Sequence, residues 1–437
     1  MLSKLEDLGA NGGIILVVLG IIAIGAAFFT LDVSSSATVK IILITSPVWL
    51  PVITFGLFYE YWLEFVRREF DLKQGRVTLE IRIPQEVFKS PEVMELILNQ
   101  LHQTAAPDNH IQTYWDGKHP PVTSLEIVSR GGDVRFYINV PRKKFKNIAE
   151  AGFYSQYPGV EMIELDVDYT SEIPWDPSRF SYFSLHFNLK KDDALPLKTY
   201  IEYGMHTMPK EEEKIDPITT MLEPFAAIGP GEYFWAQILI DANRDVGFKE
   251  GSLTKQSDWK PAANAFIQKM IADAQKRAGE NAGGNVMQQL TDTEKDTIKA
   301  VERSLGKNAF NVAIRGMYIA TNEAYTPGER IGSLITSWRG YDDINRNALG
   351  VRWRTDYDWN WWQDPSGRKK QAWKKDELRE YKLRSYSQRG AKDGKKIMTT
   401  EELATIFHIP GKVVTTPTVG RIPSTRSEAP PNLPIAS

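Results

Sequence analysis

The stretch TSLEIVSRGGDVRFYINVP, residues 123–141, contains two apolar-rich runs separated by Gly131-Gly132. Two such runs joined by a pair of glycines are typical of a β-hairpin. The elements on either side of this hairpin decide the fold class.

A helix and a strand are predicted on each side of the hairpin. RVTLEIRIP (76–84) alternates apolar and polar residues, as a strand with one buried face does, and SPEVMELILNQLHQT (90–104) repeats apolar residues at helical spacing. After the hairpin, KKFKNIAEAGFYSQYPG (143–159) favours a helix and VEMIELDVDY (160–169) a strand. The order β-α-β-β-α-β over residues 77–169 predicts a ferredoxin-like domain.

The same order of elements recurs further along the chain. Strands are expected at 180–191, 232–243, 308–321 and 349–353, with helices at 216–229 and 326–343. Residues 244–307 interrupt this second copy and predict a solvent-exposed helical arm with GENAGGN (279–285) as its flexible corner. The sequence therefore predicts an α+β protein with ferredoxin-like domains at 72–170 and 171–355.

The first 71 residues predict a transmembrane hairpin. No charged residue occurs from Leu8 to Leu31 or from Ile41 to Tyr59, and each run is long enough to cross a ~30 Å hydrocarbon core. A cleaved signal peptide is the alternative for the first run, but few basic residues precede it and a second span follows at once.

Basic residues near the spans indicate the orientation. The loop between the spans holds only Lys40, whereas Arg67, Arg68, Lys73 and Arg76 follow the second span. Because Lys and Arg concentrate on the cytoplasmic side, both termini are expected in the cytoplasm of a cell-membrane protein with two helices.

Signals of catalysis are absent from the sequence. There is no cysteine, no G-x-x-x-x-G-K-[ST] phosphate-binding loop, and no metal-ligand spacing among the six histidines. No catalytic, metal or cofactor site is therefore predicted, and the chain is not expected to be an enzyme.

The segment 356–398 is unusually basic and rich in tryptophan. Residues 352–396 hold 14 Lys or Arg against 7 Asp or Glu, although the whole chain has a net charge of −2. Such a segment could bind single-stranded nucleic acid through phosphate contacts and base stacking, or it could pack its tryptophans on the second domain and present a basic surface to a partner. The candidate residues are Trp359, Trp361, Trp362, Arg368, Lys369, Lys370, Trp373, Lys374 and Lys375.

Residues 399–437 predict a linker or docking tail. TTEELATIFHIP places Leu403, Ile406 and Phe407 on one face of a short helix, with Thr399 or Thr400 as N-cap and Glu402 able to close a capping box. Pro410 ends the helix, and the prolines beyond it favour an extended strap. The strap could lie on a partner; alternatively, the helix packs back on the second domain.

Three stretches together resemble a family: EIRIPQEVFKSPEVMELILNQLH (80–102), FYSQYPGVEMIELD (153–166) and MTTEELATIFHIPGKVVTTPTVGRIPSTRSEAPPNLP (398–434). They resemble the membrane-anchored N-terminal region of type IV secretion or conjugation ATPases of the HerA/TraC-like kind. In that family the last stretch leads into a motor with a P-loop, which has no counterpart here. The resemblance thus implies an anchoring scaffold whose P-loop ATPase is a separate polypeptide or belongs to a longer form of the chain.

The leading hypothesis is a non-catalytic membrane-anchoring subunit of a type IV secretion or conjugation-like machine. Its expected partners are the membrane and a HerA/TraC-like ATPase, and ring-forming homo-oligomers are plausible by fold analogy. The alternative hypothesis is a membrane-tethered nucleic-acid-binding protein that uses the basic segment.

Overall fold

The computed structural model describes residues 35–84, 89–207, 216–252, 259–278, 290–356, 362–386, 395–410 and 421–422. The first predicted span, Leu8–Leu31, lies outside these residues, as does the GENAGGN corner. Within them, one helix is long and apolar enough to cross a membrane, judged by its length and composition. This helix includes Ile41–Tyr59, the second predicted span, so the described residues hold one candidate span and not the predicted pair.

Helices and strands follow one another in an α+β order. The strands are β1 Arg76–Pro84, β2 Thr123–Arg130, β3 Asp133–Pro141, β4 Glu161–Glu164, β5 Phe180–Leu189, β6 Glu232–Ala242, β7 Ala309–Thr321, β8 Leu349–Arg354, β9 Lys396–Thr399 and β10 Arg421–Ile422. The helices are α1 Ser35–Gln74, α2 Glu92–Leu101, α3 His110–Tyr114, α4 Phe145–Gln156, α5 Pro217–Ala226, α6 Lys260–Ala278, α7 Asp292–Leu305, α8 Pro327–Thr336, α9 Arg368–Leu383 and α10 Thr400–Ile406. Short 3-10 turns lie at Tyr169–Glu172, Phe248–Glu250 and Ser337–Tyr341.

The predicted hairpin is confirmed. Strands β2 and β3 pair in antiparallel fashion from Ser124 opposite Asn139 to Arg130 opposite Asp133. Gly131 and Gly132 both have positive φ, at 56° and 93°, which residues with a Cβ rarely adopt. A Cβ on Gly132 would also lie 2.8 Å from the carbonyl oxygen of Ala226, so this turn needs glycine for space as well as for conformation.

The described strands belong to one sheet with a repeated pattern of pairing. The main path runs β10-β1-β3-β2-β6-β7-β5-β8, with β4 also beside β1 and β9 also beside β7. The first half thus has the spatial order β4-β1-β3-β2, and the second half has the matching order β8-β5-β7-β6. The neighbours in these two runs are antiparallel, and the two-residue β10 runs parallel to β1.

Strands β2 and β6 join the two halves into one sheet. Their antiparallel pairing extends from Thr123 opposite Ile240 to Arg130 opposite Tyr233. The main hydrophobic core also contains residues of both halves, including Leu79, Phe136, Phe234 and Tyr318. The regions 72–170 and 171–355, predicted as two domains, therefore share one sheet and one core.

Helices cover both faces of this sheet. The larger core lies under α2, α4, α5, α8 and α10. On the opposite face a second core contains Trp235, Met317 and Ile319 of the sheet together with Leu378 and Tyr381 of α9. The sheet is thus the middle layer, and its strands are apolar on both sides, as strands buried on both faces generally are.

The insertion 244–307 differs from the predicted solvent-exposed arm. Its described helices α6 and α7 bury Ala263, Ile267, Ile298 and Val301 in a third hydrophobic cluster. Leu195, from the loop after β5, belongs to the same cluster. The apolar faces of α6 and α7 form one cluster with each other and with Ala194, Leu195 and Ala309, so the two helices are not fully exposed to solvent as predicted.

Candidate functional site

Helix α1 has a large apolar surface that the other described residues do not cover. Only 7% of its most apolar stretch is buried within the protein, and Val48 is 75% exposed. Within the helix itself, the hydroxyl of Ser46 donates to the carbonyl of Leu43 and that of Thr54 to the carbonyl of Leu50, each at a distance of 2.8 Å. A helix that satisfies its own polar groups and exposes apolar side chains is suited to a lipid environment.

The later part of α1 is docked on the body of the protein. Tyr59, Leu63 and Val66 are buried there. They face what we call the helix socket, formed by α3 and the 3-10 turn Phe248–Glu250. The helix therefore changes from an exposed apolar rod to a docked element near Tyr59.

Hydrogen bonds connect α1 with both parts of the helix socket. The indole Nε1 of Trp62 donates to the carbonyl of Tyr114 (2.6 Å), and the Tyr59 and Tyr114 hydroxyls lie 3.0 Å apart. The Tyr114 hydroxyl also donates to the carbonyl of Phe248 (2.6 Å), and Arg67 Nη2 donates to that of Glu250 (3.1 Å). These bonds fix the direction in which α1 leaves the body.

Close backbone approach strengthens this docking. Gly117, directly after the socket helix α3, has a φ of 68°, and a Cβ there would lie 2.1 Å from the carbonyl oxygen of Val66. Only glycine fits at that distance, so the path of α1 is specified by the backbone as well as by side chains.

The described part of the basic segment contains helix α9, and one side of this helix is buried. Glu377, Leu378 and Tyr381 face the sheet, whereas Arg368, Lys369 and Lys375 are exposed. Lys370 and Lys374 are partly buried, and burial lowers the pKa of Lys374 from its usual value. The structure thus places Arg368, Lys369 and Lys375 at exposed positions of one helix, whereas Lys370 and Lys374 lie nearer its buried side.

The predicted tryptophans do not form a single stacking surface. Trp362 is exposed, but Trp373 is half-buried with its ring 5.5 Å from that of Trp353. Trp359 and Trp361 lie outside the described residues. Of the predicted tryptophans that the structure describes, Trp362 is therefore the exposed one.

A buried polar network under α9 was missed by the sequence analysis. The C-terminal end of α9 is held by Arg315 of β7, whose guanidinium donates to the carbonyls of Glu380 (3.0 Å) and Ser385 (2.9 Å). A cation at the C-terminal end of a helix also interacts favourably with the helix dipole. Arg384, directly after α9, pairs with the buried carboxylate of Glu126 at 3.0 Å.

The charges in this network are strongly coupled. Burial alone would lower the pKa of Arg384, but the carboxylates of Glu126 and Asp168 and the Tyr169 hydroxyl together outweigh burial and raise that pKa. His186 Nε2 lies 2.6 Å from Glu377 in the same layer. Charged residues in the middle of apolar strands, such as Glu126 and Arg315, were the signal that could have revealed this network.

The helix predicted as a docking element is part of the core. Leu403, Ile406 and Phe407 of the α10 region are fully buried, and Pro410 is buried as well. The Phe407 ring packs on Phe136 of β3 at 5.8 Å. The prediction that this helix docks on a partner is therefore wrong. Its apolar face covers the protein's own sheet and has no surface left for a partner.

The predicted capping box of this helix is confirmed. Thr399 is the N-cap; its backbone N–H donates to Glu402 Oε2 (2.8 Å), and its hydroxyl accepts from the backbone N–H of Glu402 (3.4 Å). The second Glu402 oxygen accepts from the backbone N–H of Leu197 (2.9 Å).

One cleft on the α9 side of the sheet has the residue types of a binding site but is small. It has a volume of about 100 Å³ and is lined in part by Arg130, Arg135, Tyr137 and Trp235. Small-molecule sites usually occupy ~300–1,000 Å³. Across the described ranges, no group of three or more His, Asp or Glu side chains could hold a metal ion.

Comparison with known families adds one finding. Residues 69–421 match the family described as a domain of unknown function, DUF8128. The chain belongs to this family. No curated protein matches the chain.

The DUF8128 region coincides with the α+β body. It begins at Glu69, in the last turns of α1, and ends at Arg421 in β10. It therefore includes the helix socket, α9 and α10, whereas the exposed apolar part of α1 precedes it.

Proposed function

We propose that this protein is a non-catalytic scaffold subunit that anchors a secretion or conjugation-like machine to the cell membrane. The observation that carries the proposal is helix α1, which exposes apolar side chains along its first half and is firmly docked through the helix socket along its second. Such a helix would join the body to the bilayer in a fixed direction.

Two finer features belong to this proposal. Each half of the sheet would be a ferredoxin-like unit, which is supported by the orders β4-β1-β3-β2 and β8-β5-β7-β6 and by the helices between the strands. Leu8–Leu31 would be a second span that forms a hairpin with α1. Both termini would then be cytoplasmic, and the body could associate with further copies of itself.

A separate P-loop ATPase is the proposed partner. The support is the resemblance of residues 80–102, 153–166 and 398–434 to the anchored region of HerA/TraC-like ATPases. Because α10 is in the core, the partner contact would belong to residues after Pro410 and to the body's outer surface.

The proposal is tested by purifying the tagged full chain from membranes in mild detergent. A P-loop ATPase should co-purify, and the ATPase activity of the complex should disappear when that ATPase loses its P-loop lysine. A variant lacking residues 423–437 retains α10 and β10, so it should stay in the membrane, remain folded and lose most of the ATPase. An ATPase that co-purifies at full yield with this variant would contradict the tail contact; activity from the chain alone would contradict the non-catalytic role.

Binding of single-stranded nucleic acid is a second candidate function. It is favoured by exposed Trp362 close in sequence to the exposed basic residues Arg368, Lys369 and Lys375. Basic side chains would neutralise phosphates, and one indole ring could stack on a base.

This second function is tested by fluorescence anisotropy with a labelled single-stranded oligonucleotide over a range of salt concentrations. Replacing Arg368, Lys369 and Lys375 with glutamate should reduce the slope of log affinity against log salt by about 2, since each phosphate contact contributes ~0.7. The matched control replaces the exposed Lys269, Lys276 and Lys299 of the insertion with glutamate. Equal losses in both triple variants would show that the effect is only one of net charge.

A further inference from the structure

Three large apolar side chains are exposed beside the docked part of α1. Ile111 and Trp115 come from α3 and the residue after it, and Phe248 from the 3-10 turn; their exposed fractions are 65%, 71% and 58%. We call these three residues the socket patch. Single exposed apolar residues are common, but a group of large ones drawn from distant parts of the chain marks an interaction surface.

Ring contacts show that the socket patch is continuous with the apolar surface of α1. The Trp115 ring lies 6.2 Å from that of Trp62, and the Phe248 ring lies 5.5 Å from that of Tyr114. On α1 itself, Tyr61 and Phe65 are exposed on either side of Trp62. The patch therefore extends the exposed surface of the helix sideways onto the body.

The position of the patch along α1 matches one surface of a bilayer. The uncharged stretch Ile41–Tyr59 is 28 Å long at ~1.5 Å per residue, close to the ~30 Å of a hydrocarbon core. It ends at Tyr59, which already lies in the helix socket. The patch is thus at the level where the hydrocarbon gives way to headgroups, and tryptophan is enriched at that level in membrane proteins.

We propose that the socket patch inserts into the headgroup region of the cytoplasmic leaflet, so that the body rests on the membrane at a second point beside α1. The occupant is the lipid bilayer because the patch continues the surface of a membrane helix and lies at its interfacial end. This inference depends on the proposed membrane anchoring. Two contacts, unlike one, would prevent the body from tilting about the helix.

The test uses the absence of cysteine from the chain. Single cysteines replace Ile111, Phe248, Val48 or Ile344 in the full chain, each labelled with an environment-sensitive fluorophore in proteoliposomes. Nitroxide lipids then quench at either headgroup or deep acyl-chain level. Ile344 is the matched control, because it is 94% exposed and lies between α8 and β8, away from the socket in sequence.

The expected result is blue-shifted emission and strong quenching by the headgroup nitroxide at Ile111→Cys and Phe248→Cys. Ile344→Cys should show neither, and Val48→Cys should be quenched by the deep nitroxide. If only Val48→Cys is quenched, α1 is in the membrane and the inference about the patch is overturned. If Val48→Cys is also unquenched, the proposed membrane anchoring itself is wrong. Circular dichroism of each labelled variant confirms the fold, which is expected to persist because the substituted side chains are exposed.

Discussion

Replacing Leu403 with alanine should lower the free energy of unfolding by about 3–5 kcal/mol, the upper part of the range for buried Leu→Ala changes. Leu403 is fully buried on α10 in the main core. The variant therefore loses the transfer free energy of the side chain and leaves a cavity. Since total stabilities are usually ~5–15 kcal/mol, this loss would be a large fraction of the whole.

The upper part of the range is expected because α10 cannot move to fill the cavity. Its first turn is bonded to Leu197 through Glu402 (2.9 Å), and Thr405 accepts from the backbone N–H of Tyr200 (3.0 Å). After the helix, His408 Nε2 lies 3.1 Å from Asp216. A segment held along its whole length relaxes little around a deleted side chain.

The measurement is urea unfolding of the full chain in detergent micelles, followed by far-ultraviolet circular dichroism. The matched control is Leu96→Ala on α2, where about half of the leucine is exposed; its loss should stay below about 1 kcal/mol. A similarly small loss for Leu403→Ala would show that α10 is peripheral, and the original interpretation of this helix as a docking element would return.

Three further predictions concern topology, catalysis and pH. A cysteine at Ser35 should react with a membrane-impermeant reagent added outside the cell, whereas a cysteine at Ser437 should be protected. The reason is that the positive-inside rule places the loop between the two predicted spans outside the cell. The reverse labelling pattern would contradict the predicted orientation. The fragment 72–437 should neither bind nor hydrolyse ATP because it has no P-loop. Saturable, magnesium-dependent ATP hydrolysis that persists through stringent purification would refute this prediction. Burial raises the pKa of Glu402 from 4.5 to about 7, so the folded protein keeps a proton that the unfolded chain has lost. The contribution of Glu402 to stability should therefore fall by about 3 kcal/mol between pH 4.5 and 7 and then level off. Glu402→Gln should remove this dependence, and an unchanged slope of unfolding free energy against pH would refute the assignment.

Local periodicity predicted the elements well because each strand and helix has its own apolar pattern. The strand expected at 232–243 is β6, Glu232–Ala242, and the helix expected at 216–229 is α5, Pro217–Ala226. For these two elements the differences are confined to the ends, whereas the short elements α3 and β9 were not predicted.

Pairing between the halves could not be predicted in the same way. The contact of β2 with β6 joins strands separated by about a hundred residues, and a strand's own sequence does not specify its neighbour. Both strands were therefore predicted as parts of separate domains, although their apolar residues are compatible with a common sheet.

The fate of the tail helix was open for a related reason. The apolar face formed by Leu403, Ile406 and Phe407 is the same whether it covers a partner or the protein's own core. The helix belongs to the core because it fits between α2 and α5, and that space exists only in the assembled fold. Composition predicted the basic residues of α9, but the buried pair of Glu126 and Arg384 could be found only once the strands beneath the helix were known.

The junction between α1 and the sheet has a mechanical consequence. Gly75, with a φ of 66°, is the one residue between α1 and β1; its N–H donates to Asp71, and its carbonyl accepts from Arg142. Helix α1 therefore passes directly into a strand that has neighbours on both sides, and the sheet continues unbroken through β2 and β6. A force applied at the bilayer would load the backbone hydrogen bonds of the whole sheet in shear, so the body should act as a rigid lever and not as two hinged halves.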